Sequence, residues 1–404
     1  MRQKCTVLRD TGTPVTTGPF DLSGFRSPAA RAATLETAGE PVVEVLEMDK
    51  NDLEDVVRDP RVRAVAPVMP TLLIEPAPLD SDTSDTATTV DDTRTWGVAA
   101  VGADTSSATG AGVTVAVLDT GIDADHPAFT GVDLVQKDFT GSGDGDRQGH
   151  GTHVAGTVFG RDVDGTRIGV ARGVERGLVG KVLDDRGRGD SDMLLKGIQW
   201  AVDQGAHVVS MSLGYDFPGL VSSLIDQGWP ADLATSSALE SYRANLRIFD
   251  SLLDLLRARA AFGSGTVVVA AAGNESRRGV HPDYEIAVSL PAAAEGVVSV
   301  GALGEGASGL TIAPFSNTFP QISAPGVGVL SARSGGGLVA FNGTSMACPH
   351  VAGVAALWWE RVLADSSPHA ATTVTSRLLA HADTGAIDPA VAAADRGVGI
   401  VRAP

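Results

Sequence analysis

The sequence predicts an α/β protein with a doubly wound, mostly parallel sheet and helices on both faces, preceded by a small α+β domain. Three observations predict this class. Short runs of Val and Ala bounded by Gly are typical of strands that are buried on both faces. These runs alternate with helical segments, an order that indicates βαβ units. A polar stretch rich in Asp, Thr and Ser separates this part of the 404-residue chain from its first strands.

Residues 1–78 predict the small α+β domain. Alternating apolar residues predict a strand over Pro41–Met48, and a short helix follows over residues 49–59. After a turn, one further strand is predicted over residues 62–76. Residues 79–94 hold a single Val among Asp, Thr and Ser, a composition that buries too little apolar surface to offset its ordering entropy. We therefore expect an exposed linker there.

The larger domain is predicted over residues 95–404. Its apolar runs predict buried strands at residues 113–118, 208–213, 266–272 and 297–300. Helices are predicted at residues 191–204, 238–261 and 345–363. Along the second of these helices, apolar residues recur in steps of three and four, which indicates that one face packs on the rest of the protein. These residues are Tyr242, Leu246, Phe249, Leu253 and Leu256.

Composition and charge exclude several classes of protein. There are 49 Asp and Glu against 31 Lys and Arg, a net charge of −18, which argues against nucleic acid because that binding depends on clustered positive charge. No apolar run approaches the roughly 18–20 residues of a membrane span. Two cysteines do not make a disulfide framework. The first residues lack the apolar stretch of a signal peptide, which favours a cytoplasmic protein; a secreted protein whose signal has been removed is the alternative.

Two candidate catalytic residues follow from the positions of Asp119 and His150. Asp119 closes an apolar strand, and the functional groups of open α/β sheets collect beyond the carboxyl ends of strands. Taken alone, it is better explained as a turn residue. His150 lies between glycines, which keep an imidazole accessible for proton transfer. His150 and His153 also have the spacing of two metal ligands, but Gly151 stands where a zinc protease has its general base, so His153 is interpreted as structural.

Ser345 and Asn274 are the other two candidates. Ser345 precedes an apolar helix, where a serine is most often only a cap, although the free N–H groups of a helix start also favour a developing oxyanion. Asn274 ends a buried strand, as turn-forming residues do, and its amide has the chemistry to donate a hydrogen bond to an oxyanion. Cys348, with no neighbouring cation in sequence, is interpreted as a small buried side chain rather than a nucleophile.

Together these motifs resemble those of the subtilisin-like serine proteases. They are VAVLDTGIDADHPAF, GHGTHVAGTV, VVSMSLG, VVVAAAGNE and NGTSMACPHVAG, and the resemblance extends from Trp96 to the end of the chain. It implies a serine endopeptidase of subtilisin-like fold in which Ser345 is the nucleophile, His150 the general base and Asp119 the residue that orients it. Asn274 and the backbone N–H of Ser345 would form the oxyanion hole.

The same resemblance assigns substrate-binding residues. An edge that would pair with an extended polypeptide is formed by Ser212, Leu213 and Gly214. The pocket for the residue before the scissile bond would be lined by Ala271, Ala272, Gly273 and Ser289. Its small side chains predict a medium or large apolar substrate residue, and Glu275 at the rim would also admit a basic one. The pocket for the fourth residue upstream would be lined by Leu194, Leu213 and Ser191.

The resemblance also implies a propeptide. Residues 1–78 resemble the inhibitory, chaperone-like propeptide of the family, with autocleavage predicted in the linker at residues 79–94. The expected partners are a polypeptide substrate and the chain's own propeptide, with neither nucleic acid nor a membrane span. No cofactor is expected for the chemistry. Structural calcium is left open, since Ala128 replaces an acidic residue of the family's tightest site whereas the loop at residues 162–165 is rich in oxygen donors.

One feature leaves the biological role open. Residues 216–247 are an insertion relative to compact family members, and we expect it to form a rim or docking surface beside the cleft. A dedicated maturation protease for one partner protein is therefore an alternative to a broad endopeptidase. The other alternative is an inactive peptide-binding scaffold. Its sign would be a missing catalytic group, whereas all four candidates are present in the sequence.

Overall fold

The computed structural model describes residues 2–12, 40–77, 89–91, 93–260, 265–365 and 370–404. The described residues form two compact units. The first is drawn from Met1–Met69 and Phe217–Gly265, and the second from Pro70–Asp216 and Thr266–Pro404.

Strands and helices are numbered along the chain. The described strands are β1 Gln3–Asp10, β2 Pro41–Met48, β3 Val62–Pro67, β4 Pro70–Leu73, β5 Thr89–Asp91, β6 Arg94–Thr95, β7 Thr114–Asp119, β8 Asp133–Asp138, β9 Arg176–Lys181, β10 Arg188–Asp190, β11 Val208–Met211, β12 Leu213–Tyr215, β13 Val267–Ala271, β14 Val297–Gly306, β15 Gly309–Ile312, β16 Ile322–Pro325, β17 Val329–Ala332 and β18 Leu338–Phe341. The described helices are α1 Lys50–Val57, α2 Trp96–Ala100, α3 His150–Phe159, α4 Ser191–Asp203, α5 Phe217–Asp226, α6 Ala231–Ala260, α7 Thr344–Ala364, α8 Ala371–Ala380 and α9 Ala393–Arg396.

The first unit is built on an antiparallel sheet in which β1 lies between β2 and β3. Val7 and Met48 are buried in its small core. Helix α1 follows β2 directly because Asp49 caps it, its carboxylate accepting backbone N–H groups of the first turn. The strand predicted at Pro41–Met48 is confirmed with the same bounds, and the helix predicted after it is confirmed as α1.

The same unit contains α5 and α6, which include most of the insertion predicted at residues 216–247. Helix α6 packs along β3, and Phe249 and Leu253 of the predicted apolar face are buried. Asn245, also buried on α6, donates its amide N–H to the carbonyl oxygen of Pro67 at 2.8 Å. The insertion therefore supplies part of the first unit's own packing. Its role as a rim or docking surface stays a prediction.

The strand predicted over residues 62–76 is wrong as a single element. It divides into β3, in the sheet of the first unit, and β4, in the second unit. Pro67 ends β3 and Pro70 begins β4, and neither proline has an N–H to donate to a continuous ladder. Between them, Val68 still donates its N–H to the carbonyl oxygen of Lys4 at 3.0 Å. Two prolines three residues apart thus let the chain leave one sheet and enter another.

The second unit is built on a mostly parallel sheet. Among its described strands the order is β15-β14-β13-β11-β7-β9-β8, with β16 beside β14. The pair β14–β15 is antiparallel and the others are parallel. Strands β11 and β13 are buried along their whole length, as expected for strands covered on both faces. The predicted α/β class is confirmed, and each predicted apolar run overlaps one of these strands.

Two helices with many buried residues pack on this sheet. Helices α3 and α7 contact each other, and α7 also packs against β11, β13, β14 and β16. His150 is the first residue of α3 and Ser345 is the second residue of α7. Both candidates therefore lie at helix starts that the core holds in place. Among the described helices, none is both long and apolar enough to cross a bilayer.

A short antiparallel sheet also belongs to the second unit, with β4 between β10 and β12. Leu72 of β4 pairs with Arg188 on one side and with Gly214 on the other. Strand β12 contains Leu213 and Gly214 of the edge predicted to bind substrate. An extended segment of this chain therefore pairs with that edge.

Most of the linker predicted at residues 79–94 lies outside the described residues. Its last part forms β5 and the start of β6, which pair in antiparallel fashion. The prediction that autocleavage occurs in this linker stays a prediction, as does the division of the chain into a propeptide at residues 1–78 and a catalytic domain at residues 95–404.

Candidate active site

Asp119 and His150 form a buried hydrogen-bonded pair. Asp119 ends β7 and His150 begins α3, and their side chains are 0% and 1% exposed. The Nδ1 atom of His150 lies 2.8 Å from Oδ1 of Asp119. Because a carboxylate only accepts, the Nδ1–H donates and Nε2 becomes the acceptor nitrogen of the ring. Nε2 is buried and has no hydrogen-bond partner among the described residues, so this nitrogen is available to accept a proton.

The start of α3 approaches β7 closely because two residues are glycine. A Cβ atom on Gly151 would collide with the carbonyl oxygen of Gly121, in the turn after Asp119. Gly149, directly before His150, has φ +93°, in the left-handed region that favours glycine. This packing determines the distance between the carboxylate and the imidazole.

Asp146 ties the end of β7 to the start of α3. It is 6% exposed, and among the described residues its carboxylate accepts four hydrogen bonds. Oδ1 accepts from the hydroxyl of Thr120 at 2.9 Å and from the N–H of Gly149 at 2.7 Å. Oδ2 accepts from the N–H and the hydroxyl of Thr152 at 2.8 and 2.6 Å. These donors adjoin both members of the buried pair, so one carboxylate holds the aspartate and the histidine in register.

Ser345 lies in the first turn of α7, and a proline shapes that turn. Pro349 has no N–H to donate to the carbonyl oxygen of Ser345, four residues earlier. That oxygen accepts instead from the hydroxyl of Ser212 at 3.1 Å. The helix start is thereby bound to the residue before β12, beside the predicted substrate edge.

The amide of Asn274 is oriented by Thr344. Its Oδ1 accepts from both the N–H and the hydroxyl of Thr344, each at 2.9 Å. Its Nδ2 donates to the carbonyl oxygen of Glu75, also at 2.9 Å. A Cβ atom on Gly343 would lie 3.1 Å from this Nδ2 and 3.6 Å from the backbone nitrogen of Ser345. Two N–H donors therefore border the same space.

An extended part of the chain, residues 70–77, runs past Ser345, and we call it the bound segment. The Ser345 hydroxyl donates to the carbonyl oxygen of Ile74 at 3.1 Å. Before that point the segment is β4, paired on both edges. After it, Ala77 donates its N–H to the carbonyl oxygen of Asn342 at 2.8 Å. Main-chain hydrogen bonds thus hold the segment on both sides of the serine.

Ile74 lies beside Gly214 and close to Ser289, one of the residues predicted to line the first pocket. A Cβ atom on Gly214 would lie 3.6 Å from Cγ1 of Ile74 and 3.8 Å from the hydroxyl oxygen of Ser289. Ile74 is 5% exposed and belongs to the same apolar cluster as Ala271. The N–H of Ser289 donates to the carbonyl oxygen of Ala272 at 3.3 Å. Ile74, a β-branched aliphatic residue, is therefore buried beside Gly214.

Glu275, predicted at the rim of this pocket, is held by Asn317. The Nδ2 of Asn317 donates to Oε2 of Glu275 at 2.6 Å, and its Oδ1 accepts from the N–H of Glu275 at 3.2 Å. Asn317 is fully buried and also donates to the carbonyl oxygen of Ala272 at 3.1 Å. A Cβ atom on Gly273 would collide with both side chains. Asn317 therefore fixes the loop that carries Gly273 and Glu275.

The residues predicted for the second pocket lie in α4 and β12. Ser191 begins α4, Leu194 is in its first turn, and both are fully buried. Leu213 is in β12. Leu213 pairs with Leu73 of the bound segment. Gly189, in β10, also approaches this segment, since a Cβ atom on it would lie 3.0 Å from the hydroxyl oxygen of Thr71. Thr71 is buried, and its hydroxyl has no hydrogen-bond partner in the described parts of the chain.

His153 and Cys348 have structural contacts. The Nε2 atom of His153 lies 3.0 Å and 3.2 Å from the carbonyl oxygens of Val329 and Val339, and its ring stacks on Phe341. Burial lowers the pKa of His153 from 6.5 to about 3, so the ring is neutral. Burial raises the pKa of the Cys348 thiol to about 11, which disfavours the thiolate that a nucleophile needs. The sequence-based interpretation of both residues as structural is confirmed.

The described residues contain no group of three or more His, Cys, Asp or Glu side chains placed to hold a metal ion. In the loop at residues 162–165, Asp162 pairs with Arg172 at 3.4 Å, and Asp164 is in the left-handed region with φ +51°. Asp162 thus pairs with an arginine in this structure, and structural calcium at this loop stays a prediction.

The structure brings the four candidates together in two groups. Asp119 contacts His150, while Ser345 and Asn274 contact adjacent carbonyl groups of the bound segment. No hydrogen bond joins His150 to Ser345 among the described contacts, because the serine hydroxyl is turned toward Ile74. Asp146, Asn317 and the bound segment do not stand out as site residues in the sequence. Only position points to Asp146, which lies four residues before His150, and nothing in the spacing separates it from its acidic neighbour Asp144.

Known proteins are similar to this chain in sequence. Residues 110–399 match the model of the subtilase family. The chain is 33% identical over 325 residues to a thermostable alkaline protease of Halalkalibacterium halodurans, a match that covers 78% of this chain and 72% of that protein. It is 35% identical over 258 residues to an intracellular serine protease of Paenibacillus polymyxa, covering 61% and 67%. It is 35% identical over 254 residues to subtilisin E of Bacillus subtilis, covering 62% and 56%.

The match to the family model includes all four candidates, Asp119, His150, Asn274 and Ser345. It spans more than half of the chain and contains the mostly parallel sheet. The resemblance inferred from the motifs is confirmed. The chain therefore belongs to the subtilase family and is a subtilisin-like serine endopeptidase.

Proposed function

We propose that Asp119, His150 and Ser345 act as the catalytic triad of this endopeptidase and that Asn274 supplies its oxyanion hole. One observation carries the proposal. A serine hydroxyl at a helix start is hydrogen-bonded to a peptide carbonyl in an extended segment, while a buried histidine, held by a carboxylate, has an unoccupied Nε2. These are the parts that acyl transfer to a serine requires.

The register of the sheet supports bringing these parts to one place. Strands β7 and β11 are neighbours, and Leu118 pairs with Met211. Asp119 and Ser212 are the next residues, so they leave the sheet side by side. Ser212 is in turn hydrogen-bonded to Ser345. Ser212, the residue after β11, thus links the Asp119–His150 pair at the end of β7 to Ser345 at the start of α7.

In the acylation step, the Ser345 hydroxyl turns from the substrate carbonyl to Nε2 of His150 and gives up its proton. Its oxygen attacks the carbonyl carbon, and Asp119 stabilises the imidazolium that forms. The N–H groups of Asn274 and Ser345 border the space where negative charge develops on the carbonyl oxygen. The imidazolium then protonates the leaving amine, and water later hydrolyses the ester by the same proton path.

The substrate is an extended polypeptide. The edges of β10 and β12 pair with main-chain groups, which every polypeptide carries, so this pairing places no demand on sequence. Selectivity must come from side-chain pockets. Ile74 occupies the first of them in the bound segment, beside Gly214.

We propose further that the chain is a zymogen whose residues 1–78 inhibit it and assist its folding until the enzyme cleaves itself. The contact of Ser345 with Ile74 supports inhibition, because a substrate could not reach the hydroxyl while this contact persists. Assistance in folding has a physical reason, since parallel sheets form from contacts distant in sequence and therefore form slowly.

A fluorophosphonate probe tests the triad. We expect it to label the wild-type chain on Ser345 once the bound segment is released, and to label neither Ser345→Ala nor His150→Ala. The Cys348→Ser variant is the matched control, and it should be labelled normally because that thiol is buried. Labelling at another residue, or equal peptide hydrolysis by wild type and Ser345→Ala, would disprove the proposal. A peptide-library cleavage profile then separates a broad endopeptidase from a dedicated one.

A further inference from the structure

We infer that the first bond this enzyme cleaves is its own Ile74–Glu75 bond, and that residues 71–74 display the side chains it prefers. The inference rests on the proposed function, because it takes Ser345 as the nucleophile. It adds to that function the position of the bond and the chemistry of the substrate: an extended stretch with three buried, mostly aliphatic side chains, one of them β-branched directly before the bond.

The register of β4 determines which carbonyl faces the nucleophile. Leu73 pairs with Leu213. In an antiparallel pair the next residue, Ile74, comes opposite the preceding one, Ser212. The hydroxyl of Ser345 lies at that position, 3.1 Å from the carbonyl oxygen of Ile74 and 3.5 Å from that of Ser212. The peptide carbonyl presented to the hydroxyl is therefore that of Ile74.

The bound segment lies across the nucleophile as an uncut substrate does. A cleaved product would end at Ile74, whereas this chain continues and remains held. Asn274 binds the carbonyl oxygen of Glu75, and Asn342 accepts the N–H of Ala77. Contacts on the far side of the bond give the leaving part of the chain a binding site of its own. The segment thus has the contacts of a substrate on both sides of the Ile74–Glu75 bond.

The burial of residues 71–75 indicates at which substrate positions the enzyme selects the side chain. Thr71, Leu73 and Ile74 are buried, Leu72 is partly exposed and Glu75 is exposed. The buried hydroxyl of Thr71 has no hydrogen-bond partner among the described residues, and leaving such a group unsatisfied costs binding free energy. Valine has the same shape without the hydroxyl, so we expect it to be preferred at that position. The partly exposed position of Leu72 should tolerate most side chains.

The chemistry of the step is that of the proposed triad. The oxygen of Ser345 forms a bond to the carbonyl carbon of Ile74, and His150 takes the hydroxyl proton. The bond from that carbon to the nitrogen of Glu75 breaks, and the proton passes to this nitrogen, which becomes a new amino terminus. Water then attacks the ester, its proton returns to the Ser345 oxygen through His150, and Ile74 leaves as a carboxylate.

Two other positions compete for the first cut. Asn274 donates to the carbonyl oxygen of Glu75, which would fit cleavage of the Glu75–Pro76 bond. The serine hydroxyl contacts the carbonyl oxygen of Ile74 and not that of Glu75, and this favours the earlier bond. The linker at residues 79–94, in which the sequence analysis places the cut, is the second competitor. Each position gives a different new amino terminus.

Incubation of the purified wild-type chain, followed by amino-terminal sequencing and intact mass measurement, tests the inference. A new terminus at Glu75 supports it. A terminus at Pro76 or within residues 80–95 overturns it. The fluorophosphonate probe is applied to the same sample: a labelled chain that is uncut, or cut elsewhere, overturns this inference and leaves the triad standing. A chain that is not cut, and that is still unlabelled after its first 74 residues have been removed by an added protease, overturns both.

Matched variants test the side-chain preference. We expect Ile74→Asp to slow appearance of the new terminus about a hundredfold, because a carboxylate would be buried among apolar groups. Leu72→Asp, on the partly exposed position, should change the rate by less than about threefold. Equal effects of the two would overturn the assignment of Ile74 to the pocket.

Synthetic peptides keep the test independent of folding. The blocked peptide Pro-Thr-Leu-Leu-Ile-Glu-Pro-Ala, copied from residues 70–77, should be cut between Ile and Glu by processed enzyme. Asp in place of Ile should abolish cleavage, and Val in place of Thr should raise kcat/KM about fivefold to tenfold. Cleavage at another bond would overturn the inference, and a lower kcat/KM with Val would overturn the preference at that position.

Discussion

The two halves of the proposed catalytic site differ in which contacts hold them. The half formed by Asp119 and His150 is held by the fold, through Asp146 and the glycine contacts at the start of α3. The half formed by Ser345 and Asn274 makes its remaining hydrogen bonds to the bound segment. The proposed base is therefore in place in this structure, whereas the proposed nucleophile and oxyanion donor contact the bound segment.

This difference bears on the proposed activation step. Nε2 of His150 is an unoccupied acceptor, and Ser345 has a hydroxyl that already donates elsewhere. In the proposed step, the Ser345 hydroxyl exchanges the carbonyl oxygen of Ile74 for Nε2 of His150 as its acceptor. Groups that are positioned before the reaction cost no reorganisation when the barrier is crossed.

The largest effect should come from breaking either half completely. We expect His150→Ala and Ser345→Ala each to lower kcat about 10⁴-fold or more, because transfer of the hydroxyl proton and attack are one event. The double variant should lose no more than the worse single variant. Single-turnover hydrolysis of a peptide ester, on enzyme freed of its first 74 residues, measures all three. Losses that multiply would show that the halves act independently.

A smaller effect is expected from the oxyanion donor in the second half. Asn274→Ala should lower kcat about 10²–10³-fold with little change in KM, since its hydrogen bond strengthens as charge develops. The matched variant is Thr344→Val, which keeps the N–H that orients Asn274 but removes the hydroxyl. It should cost about tenfold. Steady-state kinetics that show a rise in KM and an unchanged kcat would assign Asn274 to ground-state binding instead.

The first half should be weakened by Asp146→Asn. An amide cannot accept at its nitrogen, so bonds from Thr120 or from Thr152 are lost and the imidazole shifts. We expect kcat to fall by about tenfold to a hundredfold, with KM and the thermal midpoint changed much less. Asp144→Asn, at an exposed position in the same loop, is the control and should be inert. An equal loss in both variants would mean that loop charge, not position, matters.

The smallest effect concerns the pH dependence of stability. It comes from two buried histidines on the helices that carry His150 and Ser345. Burial lowers the pKa of His153, on α3, to about 3 and that of His350, on α7, to about 4, from 6.5. The unfolded chain therefore binds these two protons below pH 6.5 and the folded chain does not, so stability falls as pH falls.

Each histidine should remove about 1.4 kcal/mol of unfolding free energy per pH unit between pH 6.5 and 5. Denaturant unfolding of Ser345→Ala, which cannot digest itself, measures the slope. His153→Gln should reduce this slope by about 1.4 kcal/mol per pH unit. A slope that is unchanged by this substitution would show that the ring takes up a proton in the folded state.

The four candidates could be predicted because each lies in a short motif at the end of a strand or the start of a helix. The mostly parallel sheet could also be predicted, because strands that are buried on both faces have a recognisably apolar composition. Asp146 could not be predicted, because its partners Thr120 and Thr152 become neighbours only when β7 and α3 pack together. A local pattern carries no information about such a contact.

The bound segment was missed for a different reason. Residues 62–76 have the apolar character of one strand, and apolar character does not say which sheet a strand joins. Its partners β10 and β12 lie more than a hundred residues further along the chain. Pro67 and Pro70 were the available clue, since both remove donors from a continuous ladder.

The position of β4 between β10 and β12 has a consequence for native substrates. Release of β4, as proposed above, would leave a slot between β10 and β12. This slot would be two strand spacings wide, about 10 Å, and bordered by main-chain donors and acceptors. One fully stretched chain fits this slot, but a helix, about 10–12 Å across and with its amides paired internally, does not. A folded protein must therefore unwind some eight residues before it is cut. Each rise of about 1.4 kcal/mol in the free energy of that local unfolding slows digestion tenfold. The resistance of a folded substrate to this protease is therefore determined by the substrate's own stability.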